Sequence, residues 1–172
     1  MVNNIYLVGP MGAGKTTIGK LLAKALRREF IDSDREIEAR TGASIPLIFE
    51  LEQEAGFRKR ESAIIDELTQ REGIVLATGG GAVLLAENRE FLKSRGHVIY
   101  LCAPLDKLVK RTARDTNRPL LQQGDAKKIF QDLLKIRDPL YREVAHMVLE
   151  TDNDPVKHVV YNLVELIKKQ HW

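Results

Sequence analysis

The sequence predicts an α/β fold in three layers, with a five-stranded parallel sheet flanked by helices. Short apolar runs alternate along the chain with longer segments of helical period. Three of those runs are nearly continuously apolar, as parallel strands covered on both faces require. The first run leads into a glycine-rich turn ending in Lys15-Thr16, and an amphipathic segment follows it. At 172 residues the chain suits one domain and is too short for two full-sized ones. A composition of 44% hydrophobic and 30% charged residues is that of an ordinary globular protein.

The elements follow in order. Ile5–Val8 is the first strand, and Thr16–Arg27 repeats apolar residues at Ile18, Leu21, Leu22 and Leu26. Glu29–Asp32 is the second strand. From Asp34 to Gly73 the chain is too long for one crossover helix, and Thr41-Gly42 and Gly56 read as breaks. Ser44 reads as an N-cap with Pro46 in the first turn. Two helices are therefore expected there, as a small subdomain inserted between strands, and Phe57–Thr69 carries Phe57, Ile64, Ile65 and Leu68 at helical spacing. Ile74–Thr78 and His97–Leu101 are the third and fourth strands. The polar, basic stretch from about Thr112 to Asp125, around Arg118-Pro119-Leu120-Leu121, reads as a mobile loop flanked by helices, a lid. Met147–Thr151 is the fifth strand. Pro155–Lys169 closes the chain with Val156, Val159, Val160, Leu163, Val164 and Ile167 on one face, and Lys168, Lys169 and Trp172 read as a frayed end.

Charge and cysteine content exclude some classes of partner. Lys and Arg number 27 against 24 Asp and Glu, a formal charge of +3, too balanced to make nucleic acid the default partner. The one cysteine, Cys102, permits no internal disulfide and fits a reducing cytosol. The opening residues lack the basic start and long apolar stretch of a signal peptide, and no apolar run reaches the ~20 residues a bilayer requires. A cytoplasmic location without membrane contact is expected. His97, His146, His158 and His171 show no metal-ligand spacing and read as surface or core residues, and Cys102 as core filler.

The strongest motif is Gly9-Pro10-Met11-Gly12-Ala13-Gly14-Lys15-Thr16, which fits G-x-x-x-x-G-K-[ST] at every fixed position. At average composition this arises by chance in roughly 1 chain of this length in 200, before the strand-to-helix context is counted. Its glycines let backbone N–H groups turn in around phosphate oxygens, and the helix N-terminus adds positive potential. Lys15 is then expected to reach the β- and γ-phosphates of ATP, and the Thr16 hydroxyl to ligate Mg²⁺.

The acceptor side is read from three further pieces. Asp32-Ser33-Asp34 follows the second strand, and a period of two puts both carboxylates on one side of its carboxyl end, one near the metal and one for an acceptor hydroxyl. The alternative is that one of them only caps the next helix. Gly79-Gly80-Gly81 ends the third strand, where three successive glycines weaken a fold unless the backbone must approach a ligand. Arg58, opening a helix beside Gly56-Phe57, together with Arg118 and Arg137, supplies guanidinium groups suited to carboxylate or phosphate. Lys107 to Arg118 carry five basic groups against one acid, which suits a polyphosphate neighbour.

Together these residues resemble the shikimate kinase family. The resemblance rests on the phosphate loop, Asp32-Ser33-Asp34, Gly56-Phe57-Arg58 with Glu61, Thr78-Gly79-Gly80-Gly81, Arg118-Pro119-Leu120-Leu121 and Arg137-Asp138-Pro139-Leu140-Tyr141, in the family's order over nearly the whole chain. It implies a P-loop NTPase fold of the nucleoside monophosphate kinase type, as a single domain over residues 1–172 with a substrate-binding insertion at about 33–61 and a lid at about 112–125. It implies phosphorylation of the 3-hydroxyl of shikimate by ATP with one Mg²⁺, in a monomer. By the same resemblance Asp34, Arg58, Gly79, Gly80, Gly81 and Arg137 would hold shikimate, the two arginines taking its carboxylate and Asp34 orienting the nucleophile. Gly12, Ala13, Gly14, Lys15, Thr16 and Thr17 would bind the ATP phosphates. Thr16 and Asp32 would serve the metal, and Arg118 would swing in from the lid to the transferring phosphoryl group. Arg111 and the turn holding Asp154 would flank the base. A kinase of another small hydroxylated acid, such as gluconate, shares Lys15, Thr16 and the lid, but does not need the pairing of Gly-Phe-Arg with Gly-Gly-Gly. A nucleotide-sensing module would bind ATP without turnover.

Overall fold

A computed structural model describes residues 4–115 and 124–172. The strands are β1 (Ile5–Val8), β2 (Glu29–Asp32), β3 (Ile74–Ala77), β4 (His97–Cys102) and β5 (Met147–Glu150). The helices are α1 (Lys15–Leu26), α2 (Ser33–Thr41), α3 (Ile45–Thr69), α4 (Ala86–Arg95), α5 (Leu105–Thr112), α6 (Ala126–Val144) and α7 (Val156–Gln170). The five strands form one parallel sheet in the order β2-β3-β1-β4-β5. All five expected strands are present, with ends within one residue of the expectation.

Position in the sheet explains the hydrophobic patterns. The central strands β1 and β3 are buried at every residue, whereas the edge strands β2 and β5 carry exposed positions such as Glu29 and Val148. Along β1, Tyr6 and Val8 pack with Ile37, Phe57, Ile65, Leu68, Leu92 and Tyr141, contributed by α2, α3, α4 and the end of α6. Ile5 and Leu7 pack on the opposite face with Ile18, Leu22, Leu108, Phe130, Val159 and Leu163, contributed by α1, α5, the start of α6 and α7. Alternation of side chains along a strand thus divides the core in two. No described helix is long and apolar enough to cross a membrane.

Some local expectations are corrected. The segment between β2 and β3 does hold two helices, with Ser44 capping the second by accepting from Leu47 N–H. The break inside α3, however, falls at Gln53, whose backbone sits at φ 60°, ψ −178°, and not at Gly56. Gly56 lies just past the bend, where an added Cβ would stand 2.4 Å from Glu52 Cβ. Across the bend Glu52 and Arg60 pair at 2.6 Å. Leu21, expected on the buried face of α1, is more than a third exposed. The last residues are also packed rather than frayed. Trp172 stacks on His97 with ring centroids 4.5 Å apart, and its carbonyl accepts from Arg28 Nη2 at 3.2 Å. Cys102 is the last residue of β4 and half-buried, and burial raises its thiol pKa. Of the expected lid, Thr116 to Gln123 lie outside the described residues, and Asp125 caps α6 through Lys127 N–H.

Candidate active site

The site lies at the carboxyl edge of the sheet, where β1 sits between β3 and β4 and the chain's crossovers part to either side. The loop leaving β1 bends through Gly9, Gly12 and Gly14, all at positive φ, and Gly14 is the N-cap of α1. Gly9 admits no side chain, since a Cβ there would stand 2.3 Å from Leu101 O. Lys15 is buried and donates from Nζ to the carbonyls of Gly9 and Pro10 at 2.7 and 2.8 Å, which holds its ammonium over the loop. The Thr16 hydroxyl donates to Asp32 Oδ2 at 2.8 Å. These groups line a cleft of about 300 Å³ together with Gly12, Gly14, Thr17, Asp34, Gly79 and Arg111.

Asp32 and Asp34 do not share a strand face. The helix α2 begins at Ser33, so a period of two no longer applies. Asp32 is the N-cap, its Oδ1 accepting from the Asp34 and Arg35 N–H groups while its Oδ2 turns to Thr16. Asp34, in the first turn of α2, projects instead toward Gly79. One carboxylate therefore faces the phosphate loop and the other the glycine strip.

Each glycine of that strip makes room for a charged group. A Cβ on Gly79 would stand 2.7 Å from Asp34 Oδ1 and 2.9 Å from Glu61 Oε2. On Gly80 it would meet Arg137 Nη1 at 3.4 Å, and on Gly81 Arg58 Nη2 at 2.3 Å. Arg58 lies within α3, five residues beyond the bend, rather than at a helix start, and donates to Glu61 Oε1 at 2.8 Å and to Glu54. Arg137, on α6, is 5% exposed. Two guanidinium groups and two carboxylates thus converge on three glycines. Glu61 has no exposed surface, and burial pushes its carboxyl up to about 7; Arg58 pulls it down, while the nearby Asp34 adds to the rise. Its Oε2 is buried and has no hydrogen-bond partner among the described residues.

The structure brings together Lys15, Thr16, Thr17, Asp32, Asp34, Gly79, Gly80 and Arg111 in one cleft, with Arg58, Gly81 and Arg137 adjoining. Ala13 is buried beneath the loop and accepts from Thr151 Oγ1 at 3.0 Å. Arg111 donates to Gly12 O at 3.0 Å and to Asp152 O at 3.1 Å, tying the loop to the turn between β5 and α7. Asp154 is exposed in that turn and is not among the residues lining the cleft. Arg118 lies outside the described residues. Sequence reasoning missed Tyr141, whose hydroxyl donates to Gly80 O, and gave Glu61 no part of its own. The spacings Arg58–Glu61 and Arg137–Tyr141, three and four residues on helices, are the signals that mark both.

The family model for shikimate kinase matches residues 11–168. The shikimate kinase of Psychrobacter cryohalolentis is 61% identical over 162 residues, which make up 94% of this chain and 87% of that protein. That of Acinetobacter baumannii strain AYE is 58% identical over 164 residues, 95% of this chain and 91% of that protein. A solved structure of the Acinetobacter baumannii shikimate kinase in complex with shikimate superposes with a TM-score of 0.96 at 56% identity, covering 99% of this chain and 95% of that one. The Aquifex aeolicus shikimate kinase follows at 0.84 and 34%, covering 98% of each. With the family model spanning most of the chain and relatives this similar over nearly their whole length, the chain belongs to the shikimate kinase family.

Proposed function

We propose that this chain transfers the γ-phosphoryl group of ATP to the 3-hydroxyl of shikimate, giving shikimate 3-phosphate and ADP. The observation that carries the reading is the position of Asp34, which lines the cleft with Lys15 and Thr16 and also lies against Gly79 beside Glu61. An alcohol held there stands between a phosphate loop and a pair of arginines. Arg58 and Arg137 take the carboxylate of shikimate by charge-assisted hydrogen bonds, and Gly79, Gly80 and Gly81 let the ring approach the backbone. Asp34 accepts the hydrogen bond of the 3-hydroxyl and fixes its oxygen in line with the γ-phosphorus. As the new P–O bond forms, the bond to the β–γ bridging oxygen breaks and ADP leaves, and the hydroxyl proton passes to Asp34 or to solvent. The N–H groups from Gly12 to Thr17 and the Lys15 ammonium bind the phosphates, while Arg111 and Asp154 border the nucleotide and Arg118 joins the transferring group.

The residues fit one Mg²⁺. Its preferred ligands are hard oxygens, few of them from protein, and the Thr16 hydroxyl and Asp32 carboxylate already meet at 2.8 Å. No cluster of three or more His, Cys, Asp or Glu suited to a metal exists among the described residues, in keeping with an ion that relies on nucleotide phosphates and water. When bound, the ion neutralises charge on the β- and γ-phosphate oxygens. The helices α2 and the first part of α3 act as the substrate-binding insertion of a single domain. The reading includes a monomer, and the single cysteine supports a cytoplasmic location.

An ADP-release assay with MgATP tests the reading, comparing shikimate, quinate, gluconate and no acceptor. Turnover is expected with shikimate, and Asp34→Asn is expected to lower it at least about 100-fold with ATP binding retained. Activity on another acid alone overturns the choice of acceptor, and ATP binding without any turnover overturns the reaction.

A further inference from the structure

We propose that Tyr141 is a positioning residue for the acid-binding wall: its hydroxyl locks the Gly80–Gly81 peptide, the surface on which Arg137 and Arg58 rest. The inference concerns how the pocket of the proposed reaction is held rigid, and its kinetic arm rests on that reading.

A run of three glycines has no side chains to fix its peptide planes, and glycine occupies both halves of φ space with little cost. Turn bonds hold the flanking carbonyls, Gly79 O accepting from Ala82 N–H and Gly81 O from Leu84 N–H, each at 3.1 Å, and Tyr141 holds the carbonyl between them. Its phenol is 1% exposed, and its O–H donates to Gly80 O. Because the peptide is planar and trans, fixing that carbonyl toward α6 directs the Gly81 N–H to the opposite side. Arg137 lies one helical turn earlier on the same face, donates a hydrogen bond to the Tyr141 hydroxyl and rests against Gly80, where a Cβ would be 3.4 Å from Nη1.

The phenol is itself held from a second element. Its ring packs against Tyr100 of β4 with centroids 4.9 Å apart. Tyr100 O–H donates to Asp138 Oδ1 at 2.6 Å, and Arg142 Nε donates to Asp138 Oδ2 at 2.8 Å. Asp138 thereby ties α6 to the sheet, and Pro139, which has no N–H to give its own helix, sits between the two anchors. Arg137, Asp138 and Tyr141 work as a unit in which Arg137 faces the acid, Tyr141 holds the wall at Gly80 and Asp138 ties both to the sheet.

The test has two arms. In the first, Tyr141→Phe keeps the ring and removes the donor. Once the wild-type chain is seen to turn over shikimate, the variant is expected to raise the shikimate KM about fivefold to tenfold. Its kcat and ATP KM are expected to stay within about twofold. An unchanged shikimate KM, or equal rises for both substrates, overturns the proposal. The second arm needs no substrate. Gly79-Gly80-Gly81 contains the only adjacent glycines in the chain, so labelling glycine with ¹³C at the carbonyl and ¹⁵N restricts a carbonyl-to-amide NMR spectrum to Gly80 and Gly81. In wild type both amides are expected free of millisecond exchange, with broadening at Gly81 in the variant. Exchange at Gly81 in wild type overturns the lock whether or not the variant folds, and failure of shikimate turnover alone strikes the proposed reaction and leaves this arm standing.

Discussion

At Glu61 burial and charge pull in opposite directions, and burial wins. The carboxyl is pushed up to about 7 from an ordinary 4.5 even though Arg58 donates to it at 2.8 Å. A folded-state pKa above the unfolded one makes the group's contribution to stability complete below pH 4.5 and lost as pH rises through 7. At pH 8 the loss amounts to about 3 kcal/mol, because each pH unit separating the folded and unfolded pKa values is worth roughly 1.4 kcal/mol. Glu61→Gln removes that dependence. The substitution takes one of two acidic partners from Arg58, which keeps Glu54, so the slope with pH rather than the offset is the diagnostic quantity. Thermal melts without substrate are expected to show variant-minus-wild-type stability rising between pH 5 and pH 8; a flat difference contradicts a raised Glu61 pKa.

The glycine strip and the helices that press on it behave as one element. Gly81→Ala puts a Cβ within 2.3 Å of Arg58 Nη2, the far end of a flexible side chain. The chain therefore tolerates the substitution by moving the guanidinium, at a cost of about 1–2 kcal/mol. What it loses is the place of Arg58. The expected outcome is a shikimate KM raised at least about tenfold, with ATP affinity unchanged, read from steady-state kinetics and nucleotide titration. A normal shikimate KM separates Arg58 from substrate binding. Gly9→Ala differs in kind, because its Cβ meets the backbone carbonyl of Leu101 at 2.3 Å and nothing flexible can yield. That variant is expected to lose about 3 kcal/mol or more of stability, measured by chemical denaturation.

On the scale of the whole molecule, the site draws on β1, β2, β3, α1, α2, α3, α5 and α6, so ligands that bridge them stabilise the fold as a unit. A ligand present at 100 times its Kd and bound only by the native state adds about 2.7 kcal/mol. For a chain of this size that corresponds to a melting temperature about 5–10 °C higher. MgATP and shikimate are each expected to give such a rise, and EDTA is expected to reduce the nucleotide's effect and leave that of shikimate intact. The sheet order places β1 between β3 and β4, which lets loops from both halves reach one edge.

By itself the sequence determined the elements whose signals are local. A phosphate loop is a contiguous motif, and its Lys15 and Thr16 are named by it. Buried parallel strands are runs of apolar residues, and β1 begins and ends where its run does. The order of motifs along the chain sufficed for family and fold. Only the tertiary structure decided which groups face one another. The placement of Asp32 and Asp34 turned on whether a helix starts at Ser33, a matter of one residue that a strand pattern does not report. The bend at Gln53 leaves no composition signal, since a left-handed backbone at a glutamine is held by its surroundings, among them the Glu52–Arg60 pair across it. The packed end at Trp172 depends on His97 and Arg28, which lie far away in sequence. Three glycines signalled close approach without saying of what; Asp34, Glu61, Arg58 and Arg137 come from three helices, and only packing those helices on the sheet brings them there. Local patterns follow from backbone geometry and side-chain shape, whereas the meeting of distant charges follows from how buried surfaces fit together.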